Sequence, residues 1–497
     1  MGRVGAHPFR SRLSGAWGVS ALVFLVFACG GKRSLTGDGG DGPGSSSGSA
    51  AAGGAAGQAA VGGAGAGGQG GAGADGTWTE PPDGGVACKN LECRQSKCRY
   101  GACLQRPCPA GVVTTLSGKV YDPAGKVPLY NVNVFVPNKQ PEPLTDGPGC
   151  DKCGTALVGE PVVQTKTAAD GSFTLGDAEA DVPSGTNVPV VIQVGKWRRE
   201  IVIPNVNACT DNPLSDANVT RLPRNHGEGH MPRIALTTGG ADALECLLRK
   251  IGIADSEFTP ESGDGRVNLF AGTNGTSAYS AELGGAAFTP VEPWWDNLQN
   301  LTKYDIVLHS CDGIENPTNK SAAAMQALQS YADMGGRVFT SHWHNYWFEK
   351  GAPPWPSIAN FSHQFDLPSY HPVKIDTGFD KGLALAEWLD KVGGSETFGV
   401  LTVIGGKNTI GSAGSGRRWI YSDNPASVQY LDATTPIGGP ACGRVVLSDI
   451  HVTSGEGSAN SDSSGPTKPF PTGCVTTKLS PQEKALVFML FDLSSCT

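Results

Sequence analysis

Positive charge is scarce along this chain. Its 497 residues include 38 Lys and Arg against 46 Asp and Glu, which gives a net charge of -8 at pH 7. No Lys/Arg cluster occurs beyond short runs such as residues 196–199. Because nucleic-acid binding depends on basic surfaces that neutralise phosphates, the composition argues against a nucleic-acid partner.

A hydrophobic run long enough to span a membrane is also missing near the start of the chain. The apolar stretch from about Ala16 to Ala28 is shorter than the ~20 residues that cross a hydrocarbon core of ~30 Å. Three arginines precede this stretch, and a small residue ends it. These features predict a cleaved export signal over residues 1–28 rather than a retained helix.

The end of this segment, Val26-Phe27-Ala28-Cys29, resembles the lipobox of bacterial lipoproteins. The resemblance implies that Cys29 is the lipidation site, that the mature chain begins there, and that the exported protein is held on a membrane. Gly30 in the second mature position, where Asp would favour the inner membrane, implies the outer membrane or cell surface. The alternative is an ordinary secretory signal with an incidental cysteine.

Large apolar side chains are absent from residues 37–76, apart from Val61. This segment is almost entirely Gly, Ala and Ser, so it cannot bury enough surface to offset its ordering entropy. We therefore expect residues 29–80 to form a disordered tether. A Gly-rich coil of ~40 residues has a root-mean-square reach of ~35 Å, enough to lift a folded head clear of the lipid headgroups.

The cysteines point to disulfides. The chain has 14 of them, and export places them in an oxidising compartment. Their connectivity does not follow from the sequence. Five recur every fifth residue within residues 88–108, a spacing that predicts a small disulfide knot: Cys88, Cys93, Cys98, Cys103 and Cys108.

Six further cysteines are disulfide candidates. Cys150 and Cys153 have the CxxC spacing that also suits zinc. We favour a disulfide for them, either local or back to the five-cysteine segment, and keep zinc as the alternative. The remaining candidates are Cys246, Cys311, Cys442 and Cys474.

Short alternating strands are predicted between residues 112 and 208. Val134 and Val136 are separated by a single residue, as in a strand with one face buried, and turn residues such as Asp170-Gly171 divide the apolar runs. This pattern predicts a small all-β sandwich.

Three motifs in this region carry a resemblance: SGKVYD at 117–122, PLYNV at 128–132 and DGSF at 170–173. They are similar to the carboxypeptidase regulatory-like domain, a transthyretin-like sandwich. The resemblance implies a structural or binding accessory without chemistry of its own.

Strand and helix patterns alternate over residues 231–497. Such alternation indicates a doubly wound α/β domain with a parallel sheet covered on both faces. The predicted helices cover residues 242–251 and 321–334. The predicted strands cover residues 233–238, 267–271, 304–309, 337–342 and 444–450.

Polar side chains follow these strands at their carboxyl ends, where ligands bind in doubly wound sheets. Imidazoles and carboxylates gathered there can bind a metal or move protons, although some can simply cap strand ends. We predict His342, His344 and His451 as metal candidates, and His342, His451 and Cys311 as catalytic candidates. The predicted ligand-binding residues are Thr238, Asp242, Asp312, His342, Trp343, His344, Trp347 and His451.

The motifs YDIVL at 304–308 and GGRVFTSH at 335–342 resemble the ThuA-like branch of the class I glutamine amidotransferase-like superfamily. In amidotransferases a nucleophilic cysteine occupies the turn after the strand equivalent to residues 338–340. Ser341-His342-Trp343 stands there in this chain, which removes the amidotransferase reaction. Cys311 follows a different strand, and we favour a disulfide to Cys246 over a nucleophilic role.

Aromatic side chains are frequent beside the predicted pocket. Trp343, Tyr346, Trp347 and Trp355 follow His342, and Trp294-Trp295 form a second group. Such rings either recognise sugar faces or apolar partners, or pack the loops onto the sheet.

Two functions follow from the sequence. The first is a membrane-anchored lipoprotein that binds an extracellular ligand, such as a carbohydrate or a cell-envelope component. The absence of a complete catalytic signature favours it. The second is a ThuA-like enzyme acting on a sugar or related small molecule, which requires the strand-end histidines to converge. No cofactor is predicted apart from the option of a divalent metal.

Overall fold

The computed structural model describes Leu91 and residues 108–150, 157–455, 465–475 and 478–496. The predicted signal, the lipidation site Cys29 and the tether lie outside these residues. Five disulfide candidates also lie outside them: Cys88, Cys93, Cys98, Cys103 and Cys153.

The first seven strands form two small sheets. Their order is β4-β1-β7 in one sheet and β3-β2-β5-β6 in the other. In the fourth strand Phe173 and Leu175 are buried and Thr174 is exposed, which is the alternation expected of a strand with one face in the core. The bounds are β1 (Thr115–Lys119), β2 (Asn133–Pro137), β3 (Pro161–Lys166), β4 (Ser172–Leu175), β5 (Gly185–Val194), β6 (Trp197–Val206) and β7 (Asp211–Leu214).

The next thirteen strands build an eleven-stranded sheet and a separate pair, β14 with β17. Their bounds are β8 (Ile234–Thr237), β9 (Phe258–Thr259), β10 (Val267–Ala271), β11 (Thr289–Pro290), β12 (Ile306–His309), β13 (Arg337–Ser341), β14 (Ala359–Phe361), β15 (His371–Ile375), β16 (Val400–Val403), β17 (Ile410–Ala413), β18 (Arg417–Asp423), β19 (Ala426–Thr435) and β20 (Gly443–Ser448).

The long sheet is parallel on one side and antiparallel on the other. Strands β11, β10, β8, β12, β13 and β20 lie parallel in that order. Strands β19, β18, β15 and β16 continue the sheet antiparallel. The connection from Thr435 to Gly443 is too short for the crossover that parallel neighbours need, so β19 and β20 pair as a hairpin. The sheet is therefore mixed, and the predicted parallel sheet describes only the side from β11 to β20.

Helices cover both faces of the long sheet. Alternate residues of β8 enter two different cores: Ile234 and Leu236 belong to one and Ala235 to the other. The helices of the described residues are α1 (Ala217–Thr220), α2 (Leu244–Lys250), α3 (Val291–Trp295), α4 (Leu298–Leu301), α5 (Ala322–Asp333), α6 (Tyr346–Glu349), α7 (Asp380–Lys391) and α8 (Pro481–Ser494), with 3-10 helices at Asp255–Glu257, Ala281–Leu283, Pro317–Asn319, His342–Asn345 and Trp355–Ile358.

The small sheets share a hydrophobic core with one face of the long sheet. The ring of Tyr130 stacks on Phe488 of α8 at a centroid distance of 5.6 Å. Trp197 of β6 contacts Phe491 of the same helix at 5.8 Å. Helix α8 therefore packs directly against the part of the chain that forms strands β1 to β7.

Three disulfides join parts of the described chain that are distant in sequence: Cys108–Cys209, Cys150–Cys442 and Cys246–Cys474. The expectation that Cys246 pairs with Cys311 is wrong. Helix α2 brings the Cα of Cys246 to 5.2 Å from that of Cys474, and Cys311 is a buried free thiol. Both bridges expected for Cys150, the local one and the one back to the five-cysteine segment, are also wrong, because Cys150 is bonded to Cys442, just before β20.

Candidate functional site

The carboxyl ends of β8, β12, β13 and β20 lie side by side at one edge of the sheet. In register, His309 lies opposite both Thr237 and Thr340, and Ser341 lies opposite Ser448. The segments that follow these strands therefore meet. They carry most of the polar residues that the sequence placed in a pocket.

Cys311, His342 and His451 converge at this edge. One possible ligand atom from each lies within 4.8 Å of the other two, and all three side chains are buried. The Sγ of Cys311 lies 3.5 Å from the Nδ1 of His342, and the rings of His342 and His451 are 5.2 Å apart. His342 directly follows β13 with a φ of 44°, a strained conformation that turns the chain sharply.

Burial controls the protonation of this trio. It lowers the pKa of His342 well below its usual range, and the nearby His451 and the charge of Lys407 lower it further. Burial, followed by the charge of Lys407, lowers the pKa of His451 to about 3. Burial also raises the pKa of the Cys311 thiol to about 12. Both imidazoles are thus neutral, with lone pairs free to bind a cation.

His451 is the least satisfied member of the trio. Its side chain is only 1% exposed, and neither ring nitrogen has a hydrogen-bond partner among the residues that the structure describes. Buried polar atoms in native proteins normally have such a partner. An unpartnered buried imidazole therefore points to a ligand or ion that completes the site.

A cavity of about 230 Å³ opens beside His342 and His451. Two loops form much of its wall, one after β14 and one after β16. Neither loop carries a periodic pattern that the sequence analysis could use, and their side chains were not among the predicted site residues. The lining residues are Ala241, Gly313, His342, Trp343, His363, Gln364, Asp366, Lys407, Asn408, Thr409 and His451.

His344, a predicted metal candidate, belongs to a different cluster. Its Nδ1 accepts a hydrogen bond from Trp347 Nε1 at 3.0 Å, so its hydrogen lies on Nε2, 3.5 Å from Asp312 Oδ2. The ring stacks on His309 at 5.0 Å, and His309 Nδ1 lies 3.1 Å from the Thr237 hydroxyl. None of these side chains lines the cavity. The third residue beside His342 and His451 is therefore Cys311, whereas the sequence analysis predicted His344 as the third metal candidate.

Two other predicted ligand-binding residues lie in the interior. Thr238 donates to the backbone oxygens of Thr276 and Phe270 at 2.7 and 3.2 Å. Asp242 is fully buried and accepts a hydrogen bond from the amide of Val452 at 2.7 Å. Burial raises the pKa of Asp242 to about 7, although the amides of Val452 and Ala243 donate hydrogen bonds that lower it. Asp242 does not line the cavity. Its contact with the Val452 amide holds the residue next to His451 in place.

Asp449 supports the cavity wall in a similar way. Its carboxylate accepts hydrogen bonds from the Thr409 amide and hydroxyl at 2.7 and 2.6 Å, from the Ile410 amide at 3.2 Å and from Asn345 Nδ2 at 3.1 Å. Burial nevertheless raises its pKa to about 6. This residue ties the turn that carries His342 to the loop that carries Thr409.

Most of the tryptophans highlighted by the sequence are packing residues. Trp294, Trp295, Trp347 and Trp355 are at most 2% exposed and lie in the core on one face of the sheet. Trp343 differs, because it lines the cavity and stacks on His363 with an interplanar angle of 18°. Only this ring among the five lies against the cavity.

A second group, Glu315, Glu349 and His363, could also hold a cation by distance. Its members are partly exposed, and His363 Nε2 already hydrogen-bonds Glu349 Oε2 at 2.6 Å. His363 and Glu349 are therefore already partnered, unlike His451.

No family model matches the chain, and no curated protein is found to be similar to it. Among the described residues, no helix is both long and apolar enough to cross a membrane.

Proposed function

We propose that this chain is an exported, membrane-tethered protein that carries a zinc-type divalent metal site formed by Cys311, His342 and His451. The site acts on a small polar molecule held in the adjoining cavity. The observation that carries the proposal is the unpartnered, buried His451 within 4.8 Å of two other donor groups.

The donor set and its spacing suit zinc. One thiolate and two imidazoles are typical zinc ligands, with Zn–S of ~2.3 Å and Zn–N of ~2.0 Å, which puts S and N about 3.5 Å apart in a tetrahedral site. The Cys311 Sγ and His342 Nδ1 are 3.5 Å apart. Three protein ligands leave one position open, as in catalytic rather than structural sites.

The same contact supports a Cys–His nucleophile less well. Burial raises the pKa of Cys311 to about 12 and holds the pKa of His342 well below its usual range, so His342 is a weak base for this thiol. Proton transfer from a thiol to such an imidazole is unfavourable. A divalent cation removes this obstacle because it displaces the thiol proton directly.

When bound, the metal supplies a Lewis acid that polarises an oxygen of the bound molecule. The protein supplies the rest of the site. Trp343 and His363 form an aromatic wall, and Gln364, Asn408 and Thr409 offer polar contacts. These groups hold and orient a small molecule next to His342 and His451.

The remaining parts of the proposal come from the sequence. The lipobox-like motif at Cys29 and the following tether support export and anchoring. The motifs of residues 117–173 support a carboxypeptidase regulatory-like accessory, and those of residues 304–342 support a ThuA-like α/β region. The strained turn at His342, directly after β13, agrees with the latter, because amidotransferase-like proteins place their functional residue at that turn.

A second candidate function is carbohydrate binding without a metal. It is favoured by Trp343, whose ring lines the cavity beside polar side chains, since aromatic faces with a few convergent polar groups suit sugars.

Zinc binding tests the first function. The full chain, stripped with chelator, is titrated with Zn²⁺ while the thermal midpoint is measured, since a ligand of the native state raises that midpoint. We expect a rise for the wild type that is lost in His451→Gln. The control is His371→Gln on β15, whose ring hydrogen-bonds Ser422 and which should keep the rise. A rise that survives His451→Gln would place the metal elsewhere and contradict the proposal.

A further inference from the structure

We propose that His363 is the general acid–base catalyst of the cavity and that Glu349 positions its ring. The proposal rests on the proposed function, because it assigns the proton transfer in a reaction at the same cavity. It is carried by a carboxylate–imidazole pair at the cavity wall, in which His363 Nε2 lies 2.6 Å from Glu349 Oε2.

His363 is the ionisable group of the cavity wall that has no other task. Among the described residues, the ionisable side chains of the lining are His342, His363, Asp366, Lys407 and His451. His342 and His451 are metal ligands in the proposed site. Lys407 forms an ion pair with Asp366 at 2.7 Å. Because imidazole is the side chain that most often transfers protons in catalysis, His363 is the group for this step.

Glu349 fixes the tautomer of His363. Burial favours the neutral carboxyl, but hydrogen bonds from Lys350 and His363 lower the pKa of Glu349, so the carboxylate is ionised. An ionised carboxylate only accepts hydrogen bonds, so the ring hydrogen lies on Nε2 and the lone pair on Nδ1.

The lone pair of His363 Nδ1 is available to a bound molecule. Within the described part of the chain, Nδ1 makes no hydrogen bond. Glu315 has a carboxylate oxygen within 4.8 Å of both His363 and Glu349, but it makes no hydrogen bond to the ring there. Nδ1 can therefore accept a proton, while Nε2 stays bound to its carboxylate. This is the arrangement of a base oriented by a third group.

The backbone holds the ring in place. His363 has a φ of 45°, a strained conformation for a residue other than Gly. The residues on both sides of it are tied to the loop after β16. The amide of Ser362 donates to the backbone oxygen of Thr409 at 2.9 Å, and the amide of Gln364 donates to that of Asn408 at 2.8 Å. The imidazole is thus preorganised at the wall, as proton transfer requires.

Trp343 links this pair to the metal site. The centroid of its ring lies 4.6 Å from that of His342 and 5.8 Å from that of His363. All three rings line the same cavity of about 230 Å³. A small molecule held beside His342 is therefore within reach of His363.

The step can be written for an ester and water. His363 Nδ1 takes a proton from the water while the water oxygen bonds to the acyl carbon. The proton then passes from Nδ1 to the oxygen of the leaving group as the bond between that oxygen and the acyl carbon breaks. The products are a carboxylic acid and an alcohol, and the ring returns to its first state. A bound metal would polarise the acyl oxygen.

Hydrolysis of 4-nitrophenyl acetate by the zinc-loaded full chain tests the proposal, with the nitrophenolate measured by its absorbance. His363→Gln should lower kcat about 100-fold and leave KM within about twofold, because the ring acts in the transition state. Glu349→Gln should lower kcat at least about tenfold, because an amide can also donate to Nε2 and no longer fixes the hydrogen there.

The control is a similar pair away from the cavity. His226 Nδ1 lies 2.9 Å from Glu257 Oε1, and neither residue lines the cavity. His226→Gln should therefore keep kcat. The thermal midpoint of every variant is measured with and without Zn²⁺. The zinc-dependent rise should persist in all three, because none of them changes a residue of the trio.

The outcomes separate this inference from the metal site. Wild-type protein that binds zinc without zinc-dependent hydrolysis overturns the role of His363 and leaves the metal site standing, as does an unchanged kcat in His363→Gln. Loss of zinc binding in His363→Gln also overturns the role, because the residue would then act through the metal. Wild-type protein that binds no zinc overturns the metal site. Metal-free hydrolysis that depends on His363 would then support its role, and the absence of hydrolysis would overturn both.

Discussion

Two pairs of buried histidines lie at the same edge of the sheet, and they differ in their partners. His309 and His344 stack on each other and are held by Thr237, Asp312 and Trp347. His342 and His451 share a free thiol and face a cavity. Burial and residue type are therefore poor markers of a site. An unpartnered nitrogen alone is not a sufficient marker either, because Nε2 of His309 and Nε2 of His344 also lack a hydrogen-bond partner among the described residues. The cavity beside His342 and His451 is what distinguishes that pair.

The largest expected effect on stability comes from comparing two tryptophans, Trp347 of the packed cluster around His309 and His344 and Trp343 of the cavity wall. Trp347 is fully buried, so Trp347→Ala should lower the free energy of unfolding by about 3–5 kcal/mol. Trp343 is only partly buried, and Trp343→Ala should cost about 1 kcal/mol or less while it weakens ligand binding. Urea unfolding measures both variants. Equal losses would show that Trp343 is also a core residue and would remove the distinction between the two clusters.

The next effect depends on pH. Because the pKa of His451 falls from an ordinary ~6.5 to about 3 on folding, the unfolded chain binds the extra proton first. The stability that this residue contributes is complete above pH ~6.5 and is lost as the pH falls toward 3, at about 1.4 kcal/mol per pH unit.

His451→Gln removes this dependence. In zinc-free protein, the free energy of unfolding of the variant should therefore gain on the wild type by about 2 kcal/mol between pH 6.5 and 4.5. Urea unfolding at several pH values measures the difference. Parallel profiles would mean that the ring has the same pKa in the folded and the unfolded chain, which contradicts the burial of an unpartnered imidazole at this position.

Sequence periodicity predicted the central elements of the long sheet well. The strand predicted at 267–271 coincides with β10, and the helix predicted at 321–334 differs from α5 by one residue at each end, since the Ser321 hydroxyl caps it and Gly335 follows it. Such elements carry their own signals: an apolar run, a cap and a stop. The antiparallel half of the sheet was missed, because strand direction depends on pairing partners that the local pattern does not encode.

The candidate site divides in the same way. His342 and His451 follow strands that the sequence indicates, so their place at the sheet edge could be predicted. Lys407 and Asn408 lie in a loop after β16, and reach the cavity only because the antiparallel strands carry that loop back toward the edge. The disulfide expected for Cys311 does not form. The positions of cysteines along the sequence do not show in which direction each side chain points.

The smallest expected effect on stability concerns that thiol. The polar contacts of the Cys311 thiol are weak, and they include His342 Nδ1 at 3.5 Å and the amide of Gly313 at 3.4 Å. Cys311→Ala should therefore change the free energy of unfolding by about 1 kcal/mol or less, and should abolish the zinc-dependent rise of the thermal midpoint. Cys246→Ala, which breaks the bond to Cys474, should cost about 2–5 kcal/mol and keep the rise.

Cys311→Ala and Cys246→Ala separate zinc binding from stability, because the two cysteines follow β12 and β8, which are neighbouring strands of the long sheet. A large loss of stability in Cys311→Ala would mean that the thiol is a packing group. A zinc-dependent rise that persists in that variant would leave His342 and His451 without a third protein ligand and favour metal-free binding in the cavity.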